Sequence, residues 1–231
     1  MILYTRSKGR FQKMKDKLKN LIYSDRFVII IGLIVVPILS FILITMSEES
    51  PLYTSISRIA WIHGGWLPTF IWALIIMFAI SWLTYRTVFC GPLSDRTKKV
   101  FMCTQLIHIV LAFVGCIVFP AKDGTDFVNF FNYIHDYLTI VAWALYAVGL
   151  MAYSILLRKH DRFLGFLGIG LMSFVIFSSF FFISRVVDPT SYVGASAVSE
   201  VYIINSLFIY LVVMYLAERL KLGGAETVCE E

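Results

Sequence analysis

The sequence predicts an all-α polytopic membrane protein with six transmembrane helices and with both termini in the cytoplasm. Hydrophobic residues make up 59% of the 231 residues, and the mean hydropathy is +0.80, which excludes an ordinary soluble domain. Six apolar segments have about the 20 residues that a helix needs to cross the hydrocarbon core. In addition, if the six segments cross the membrane in alternating directions, 17 of the 20 Lys and Arg residues lie on the same side of the membrane.

The six apolar segments follow one another with short connections, so residues 27–218 are predicted to form one transmembrane domain. Residues 1–26 precede this domain and the tail 219–231 follows it, and both are predicted to be cytoplasmic. The predicted spans are Phe27 to Met46, Leu67 to Tyr85, Val100 to Phe119, Leu138 to Leu157, Phe163 to Phe182 and Val201 to Leu216.

The distribution of basic residues predicts the orientation. If the N-terminus is cytoplasmic, the outside loops contain only three basic residues, Arg58, Lys122 and Arg185. Cytoplasmic loops of membrane proteins carry an excess of Lys and Arg, so we expect this topology in the plasma membrane. The net charge of +5 then comes from the cytoplasmic flanks, and it indicates contact with membrane lipids rather than with nucleic acid.

The remaining segments carry local structural signals. Residues 11–22 place apolar side chains at helical spacing among four lysines, which predicts a basic amphipathic helix on the inner leaflet; a solvated tail is the alternative. Pro37 is expected to kink the first span. Residues 129–136 place polar side chains on one helical face and should extend the fourth span outward. Residues 158–162 form a tight turn, so the fourth and fifth spans should be adjacent and antiparallel.

Ionisable side chains gather at the outer ends of the spans. Such groups are costly beside a bilayer, so each is a functional candidate until a structural partner explains it. Because the helix ends converge on one rim, we expect a polar pocket that opens outward and binds a lipid headgroup or a small solute. Its arginines would bind an anionic group, and its carboxylates a cationic group. The candidate ligand-binding residues are Arg58, His63, Asp126, His135, Asp136, Arg185 and Glu200.

Sensing or transport of this ligand is the predicted function, and three alternatives stay open. The rim residues could be ordinary interface residues joined in weak ion pairs. A metal-dependent lipid hydrolase would use His63, His135 and Asp136, but adjacent residues cannot both face one metal on a regular helix. An accessory subunit that docks a membrane protein partner is the third. No catalytic residue is predicted, since no nucleophile motif such as Gly-x-Ser-x-Gly occurs. No metal or cofactor is predicted either, and the sequence contains neither His-x-x-x-His nor His-Glu-x-x-His, the spacings typical of metal ligands.

His108 lies near the predicted bilayer midplane on the third span, one turn after Gln105. A neutral imidazole at this depth needs a hydrogen-bond partner. The position predicts an interhelical hydrogen bond that fixes packing, with a proton relay as the alternative.

Short motifs at the span ends carry a family resemblance. Ser-Pro-Leu-Tyr-Thr-Ser-Ile-Ser follows the first span, Phe119 and Pro120 close the third, and His135 opens the fourth. With these motifs, the chain resembles a family of bacterial and archaeal six-helix membrane proteins of unknown function, distantly like the eukaryotic Frag/DRAM/Sfk membrane proteins. The resemblance covers nearly the whole chain, and it implies a six-helix bundle with an outward-facing polar site. It also marks Ser55 and Ser57 as positions of interest.

Overall fold

A computed structural model describes residues 24–46, 55–61, 65–118, 126–186 and 197–222, and these residues are helical apart from short turns. The first span combines the α-helix Asp25–Ile30, a π-helical turn Ile31–Val35 and the α-helix Val36–Thr45. A short helix, Ile56–Trp61, follows. The second to sixth spans are the helices Trp66–Cys90, Asp95–Val118, Asp126–His160, Arg162–Val186 and Ala197–Leu222.

Six helical segments are long and apolar enough to cross a membrane, which confirms the predicted all-α fold and indicates a multi-pass membrane protein. Their most apolar stretches have a mean hydropathy between 1.6 and 3.2. Large apolar side chains cover the outside of the bundle; Phe78, Ile140 and Phe177 are 67, 65 and 74% exposed. Such a surface suits contact with lipid acyl chains, whereas soluble monomers rarely expose contiguous apolar surface of this kind.

Consecutive spans pack side by side, and the sixth span also packs against the first and second. One end of the bundle, here called the Asp25 end, holds the starts of the first, third and fifth spans and the ends of the other three. The opposite end is called the Thr45 end. The sixth span is the most buried of the six, with 61% of its most apolar stretch inside the protein. Polar groups on this central helix must therefore find partners on neighbouring helices.

Two predictions about the fourth span are confirmed. It joins the fifth span through a tight turn at Asp161, and the two helices pack against each other. It begins at Asp126, so residues 129–136 do extend the span as a helix. The amphipathic helix predicted for residues 11–22 lies outside the described residues.

A π-helical turn precedes Pro37 in the first span. Pro37 has no backbone N–H, and its ring crowds the carbonyl group four residues earlier, so regular α-helical bonding is interrupted. The expected distortion takes the form of the wider turn Ile31–Val35. Gly32 lies in this turn, where a side chain would overlap Val212 of the sixth span. The irregular turn therefore packs directly against the central helix.

Replacing Gly32 by Ala should destabilise the bundle, because the added methyl group overlaps Val212. Overpacking of this kind costs about 1–3 kcal/mol. Gly170→Ala is the matched control: no described residue lies within 4 Å of its added methyl group. Alanine is favoured over glycine inside a helix by roughly 0.5–1 kcal/mol. Thermal unfolding in one detergent should give a lower midpoint for Gly32→Ala and an equal or higher midpoint for Gly170→Ala, and equal midpoints for the two variants would contradict the contact.

Candidate functional site

The seven predicted ligand-binding residues lie at the Thr45 end or outside the described residues. Two have described side chains: His135 is 4% exposed, and Glu200 is partly buried in the first turn of the sixth span. His63 lies outside the described residues. Convergence of all seven side chains on one pocket stays a prediction. The other four have a described helical backbone without a described side chain: Arg58, Asp126, Asp136 and Arg185.

Glu200 holds a short helix against the Thr45 end. Its Oε2 atom accepts a hydrogen bond at 2.7 Å from the backbone nitrogen of Ile56, the first residue of the helix Ile56–Trp61. The unsatisfied N–H groups at the start of a helix favour a carboxylate at this place. Ile59 in the same helix is 1% exposed, so the helix packs against the bundle. This contact supports the structural alternative for Glu200.

Three charged side chains are buried at the opposite, Asp25 end. Arg86, Lys98 and Glu218 are 2, 8 and 0% exposed. All three lie beyond the apolar segments of the sequence, in the predicted cytoplasmic flanks. However, the second, third and sixth spans extend beyond those segments by five or six residues. These extensions pack against one another and bury the three charges.

The first group of contacts at this end joins Asp25, Tyr215 and Arg86. The Tyr215 hydroxyl donates to Asp25 Oδ1 at 2.6 Å and accepts from Arg86 Nη2 at 2.6 Å. Arg219 Nε lies 3.4 Å from the same Asp25 oxygen. The Arg86 guanidinium also lies over the Tyr215 ring, 5.2 Å from its centroid. These charge-assisted bonds offset the cost of burying Arg86 and tie together the first, second and sixth spans.

The second group centres on Glu218. The Tyr153 hydroxyl of the fourth span lies 2.8 Å from Glu218 Oε1 and 3.2 Å from the backbone oxygen of Thr87, so its single proton has two acceptors. Lys98 interacts electrostatically with Glu218, and its Nζ atom donates to the backbone oxygen of Phe89 at 3.0 Å. Glu218 Oε2 has no hydrogen-bond partner among the described residues. We call Asp25, Arg86, Tyr153, Tyr215 and Glu218 the Asp25-end network.

Gly91, directly after the second span, lies against the Asp25-end network. A side chain at this position would overlap the Tyr153 hydroxyl, and its Cβ atom would lie 3.4 Å from Glu218 Oε2. The backbone can pass this close to Tyr153 and Glu218 only because glycine has no side chain. The connection between the second and third spans therefore lies beside the unpartnered carboxylate oxygen.

Hydroxyl pairs continue from this network into the middle of the bundle. Thr84 Oγ1 and the Tyr146 hydroxyl are 2.7 Å apart, and Ser154 Oγ and the Tyr210 hydroxyl are also 2.7 Å apart. The predicted interhelical bond of His108 is not found: its Nδ1 atom is buried and has no partner among the described residues. Some buried polar atoms in the middle of the bundle are therefore hydrogen-bonded, whereas others have no partner among the described residues.

A signal for the buried Glu218 is present in the sequence. Phe208, Leu211, Tyr215 and Glu218 recur at helical spacing and share one face of the sixth span. All four are buried in the structure, with exposures of 0%. If this face of the sixth span is extended beyond the predicted end at Leu216, Glu218 falls on it, and the pattern then predicts that Glu218 lies inside the bundle. The identity of its partners could not be obtained in this way, because they come from other helices.

Among the described residues, no group of three or more His, Cys, Asp or Glu side chains could hold a metal ion. His63 and the side chain of Asp136, two of the three residues proposed for a hydrolase, lie outside those residues. The chain has no significant match to a protein-family model, a curated protein or a solved structure. The fold and the site therefore define a class only, a six-helix multi-pass membrane protein with a buried polar network at one end.

Replacing Thr84 by Val should destabilise the protein, because the buried Tyr146 hydroxyl loses its partner at 2.7 Å. An unsatisfied buried hydroxyl costs about 1–3 kcal/mol. Thr104→Val is the matched control, since Thr104 is exposed on the third span and its hydroxyl donates to the backbone oxygen of Val100 in its own helix. The thermal midpoint should fall for Thr84→Val and stay unchanged for Thr104→Val. The contact has no energetic role if the two variants unfold at the same temperature.

Proposed function

We propose that this multi-pass membrane protein binds a zwitterionic lipid headgroup or a small zwitterionic solute at the Asp25-end network, in order to sense it or to move it. The observation that carries the proposal is Glu218, a carboxylate with 0% exposure and with one oxygen unpartnered among the described residues. The class of ligand is the one that the sequence predicts, but the site lies at the other end of the bundle.

The energetics of Glu218 support a ligand there. The effective penalty for burying a charge is several kcal/mol, and it is offset only when hydrogen bonds satisfy the whole group. Tyr153 satisfies Oε1, while Oε2 has no partner among the described residues. A bound group that donates hydrogen bonds, and above all a cationic ammonium group, would complete the set of partners.

The neighbouring charges favour a ligand that also carries an anionic group. Lys98 lies beside Glu218, and an ammonium group has three N–H donors, of which the Phe89 carbonyl uses one. A phosphate or carboxylate of the ligand could therefore bind Lys98 while its ammonium group binds Glu218. An ethanolamine phosphate headgroup has this arrangement of charges.

Access would come through the connection at residues 91–94. Glu218 lies four residues before the end of the sixth span, which corresponds to about 6 Å at the helical rise of 1.5 Å per residue. This depth is close to the headgroup region if the bundle spans a membrane. A small shift of the connection at Gly91 would expose Oε2 to a ligand at this end.

We also propose that the Asp25 end faces the cytoplasm and that the protein lies in the plasma membrane. Basic side chains at this end are solvent-exposed, as the predicted orientation requires: Arg26, Arg96, Lys99, Arg158, Lys159 and Arg162. The ligand would then come from the inner leaflet or from the cytoplasm.

The outward-facing pocket at the Thr45 end is the second candidate. Its supporting observation is a set of buried polar side chains at that end: Ser55 and Ser199 are 9 and 1% exposed, in addition to His135. Glu200 already bonds to Ile56, which makes it less available to a ligand than Glu218.

Phosphoethanolamine should raise the thermal midpoint of the purified protein, because a ligand that binds only the folded state stabilises it. The expected gain is about 2.7 kcal/mol at a ligand concentration of 100 times Kd. Glu218→Gln should remove the response while keeping an acceptor for Tyr153. Glu200→Gln is the matched control at the Thr45 end, where an amide oxygen can still accept from Ile56, and it should respond like the unchanged protein.

Loss of the response in Glu200→Gln together with an unchanged response in Glu218→Gln would move the site to the Thr45 end. No response in the unchanged protein, either to phosphoethanolamine or to phosphatidylethanolamine in lipid nanodiscs, would overturn the proposal.

A further inference from the structure

One face of the fourth span carries polar side chains from His135 to Tyr153. His135, Thr139, Tyr146 and Tyr153 follow one another at spacings of four, seven and seven residues, which places them on the same side of the helix. His135 is 4% exposed, and both tyrosines are 0% exposed. From His135 to Tyr153 the helix rises about 27 Å, close to the thickness of a bilayer core of about 30 Å.

The third span presents further polar groups to this face. The Gln105 side chain lies directly against Gly149 of the fourth span, and Thr139 of the fourth span lies against Gly115 of the third. His108 is one turn from Gln105, so it lies between these two contacts along the interface. The interface of the third and fourth spans is thus polar through the middle of the bundle.

Several of these groups are buried without a protein partner. Among the described residues, Gln105 Oε1, His108 Nδ1 and Thr139 Oγ1 have no hydrogen bond, and Asn205 Oδ1 of the sixth span has none either. Unpaired polar atoms cost several kcal/mol in a bilayer core. Buried polar groups without a protein partner are commonly satisfied by internal water, which bonds to two to four of them at once. Several such atoms along one interface favour a row of waters rather than one isolated water.

Tyrosine hydroxyls connect this interface to Glu218. The Tyr210 hydroxyl of the sixth span lies 2.7 Å from Ser154 Oγ, and Ser154 is the residue after Tyr153 on the fourth span. Tyr153 then contacts Glu218 Oε1 directly. Polar side chains therefore run from His135 near the Thr45 end to the carboxylate at the Asp25 end.

We infer that this row of side chains and internal waters conducts protons between the two ends of the bundle, with Glu218 as the proton-binding group at the Asp25 end. Each transfer moves one proton from a donor atom to the next acceptor, and the donor is then refilled from behind. His108 accepts a proton at Nδ1 while it releases one from Nε2, and Glu218 accepts a proton at Oε2 before releasing it to water. After one transfer the proton of His108 sits on Nδ1, so the imidazole ring and the relaying hydroxyl groups and waters must turn back before the next proton can follow; with this return step no group is consumed.

Charged and titratable groups surround Glu218 on the neighbouring helices, and they set how readily it binds and releases the proton. The groups that interact with Glu218 are Tyr153 on the fourth span, Lys98 on the third and Tyr210 on the sixth. Cys90 on the second span interacts with Tyr153 and Tyr215, and Arg86 on the second span bonds to Tyr215.

Proton flux into liposomes tests the inference. The full-length protein is reconstituted in phosphatidylcholine vesicles that contain a pH-sensitive dye, and valinomycin with potassium removes the membrane potential. After an acid pulse outside, the unchanged protein should acidify the interior faster than protein-free vesicles do. Thr139→Val removes a hydroxyl group that has no partner among the residues described by the structure, so it should leave the thermal midpoint unchanged or higher while flux falls to the level of empty vesicles.

Two further variants complete the experiment. Thr139→Ser restores the hydroxyl group and should restore flux, whereas Glu218→Gln should abolish it. Thr104→Val, on the exposed face of the third span, should conduct like the unchanged protein. Flux of a folded Thr139→Val variant equal to that of the unchanged protein would overturn the inference, as would flux no faster than in empty vesicles.

The inference shares Glu218 with the proposed function, but the two can fail separately. Thr139 lies far from the proposed headgroup site, so Thr139→Val should keep its thermal response to phosphoethanolamine. A protein that conducts protons without responding to phosphoethanolamine would remove the proposed function alone. A response to phosphoethanolamine without proton flux would remove the proton path alone.

Discussion

Burial of the Glu218 carboxylate is the interaction on which the Asp25 end of the bundle depends. A carboxylate with 0% exposure needs compensating groups close to it, and they come from separate helices: Tyr153 on the fourth span donates a hydrogen bond, and Lys98 on the third supplies a positive charge. The sixth span must therefore stay at the centre of the bundle, and the backbone at Gly91 must pass without a side chain. The same network leaves one carboxylate oxygen without a partner among the described residues, so the group that stabilises this end is also the group to which the proposed function assigns ligand binding.

The number of spans could be predicted from the sequence because a bilayer imposes strong constraints. A helix that crosses lipid needs about 20 apolar residues, and no other local signal has this length. The adjacency of the fourth and fifth spans followed from the tight turn at residues 158–162, which leaves the chain no room to separate them. The positions of the helix ends were harder to predict than the number of spans. An apolar segment shows which residues contact hydrocarbon, but helical hydrogen bonding can continue into the polar sequence beyond it. The second span thus continues through Arg86 to Cys90.

The buried network could not be predicted for a related reason. The sequence predicts that charges beyond an apolar segment are solvated, and Arg86 and Glu218 fall in such positions. Whether they are solvated or buried depends on which helices lie beside them, and that depends on the tertiary arrangement. At the Thr45 end, the positions of the ionisable residues predict that they lie on one rim of the bundle. They do not reveal that Glu200 bonds to the backbone of Ile56. Side-chain partners separated by many residues have no local signature.

The most direct measurement of the central claim is a double-mutant cycle between Tyr153 and Glu218. The free energy of unfolding is measured in one detergent for the unchanged protein, Tyr153→Phe, Glu218→Met and the double variant. Direct contact between the hydroxyl group and a buried carboxylate predicts a coupling energy between about 0.5 and 3 kcal/mol. If the two effects add within about 0.3–0.5 kcal/mol, the two side chains do not interact and the network around Glu218 is contradicted.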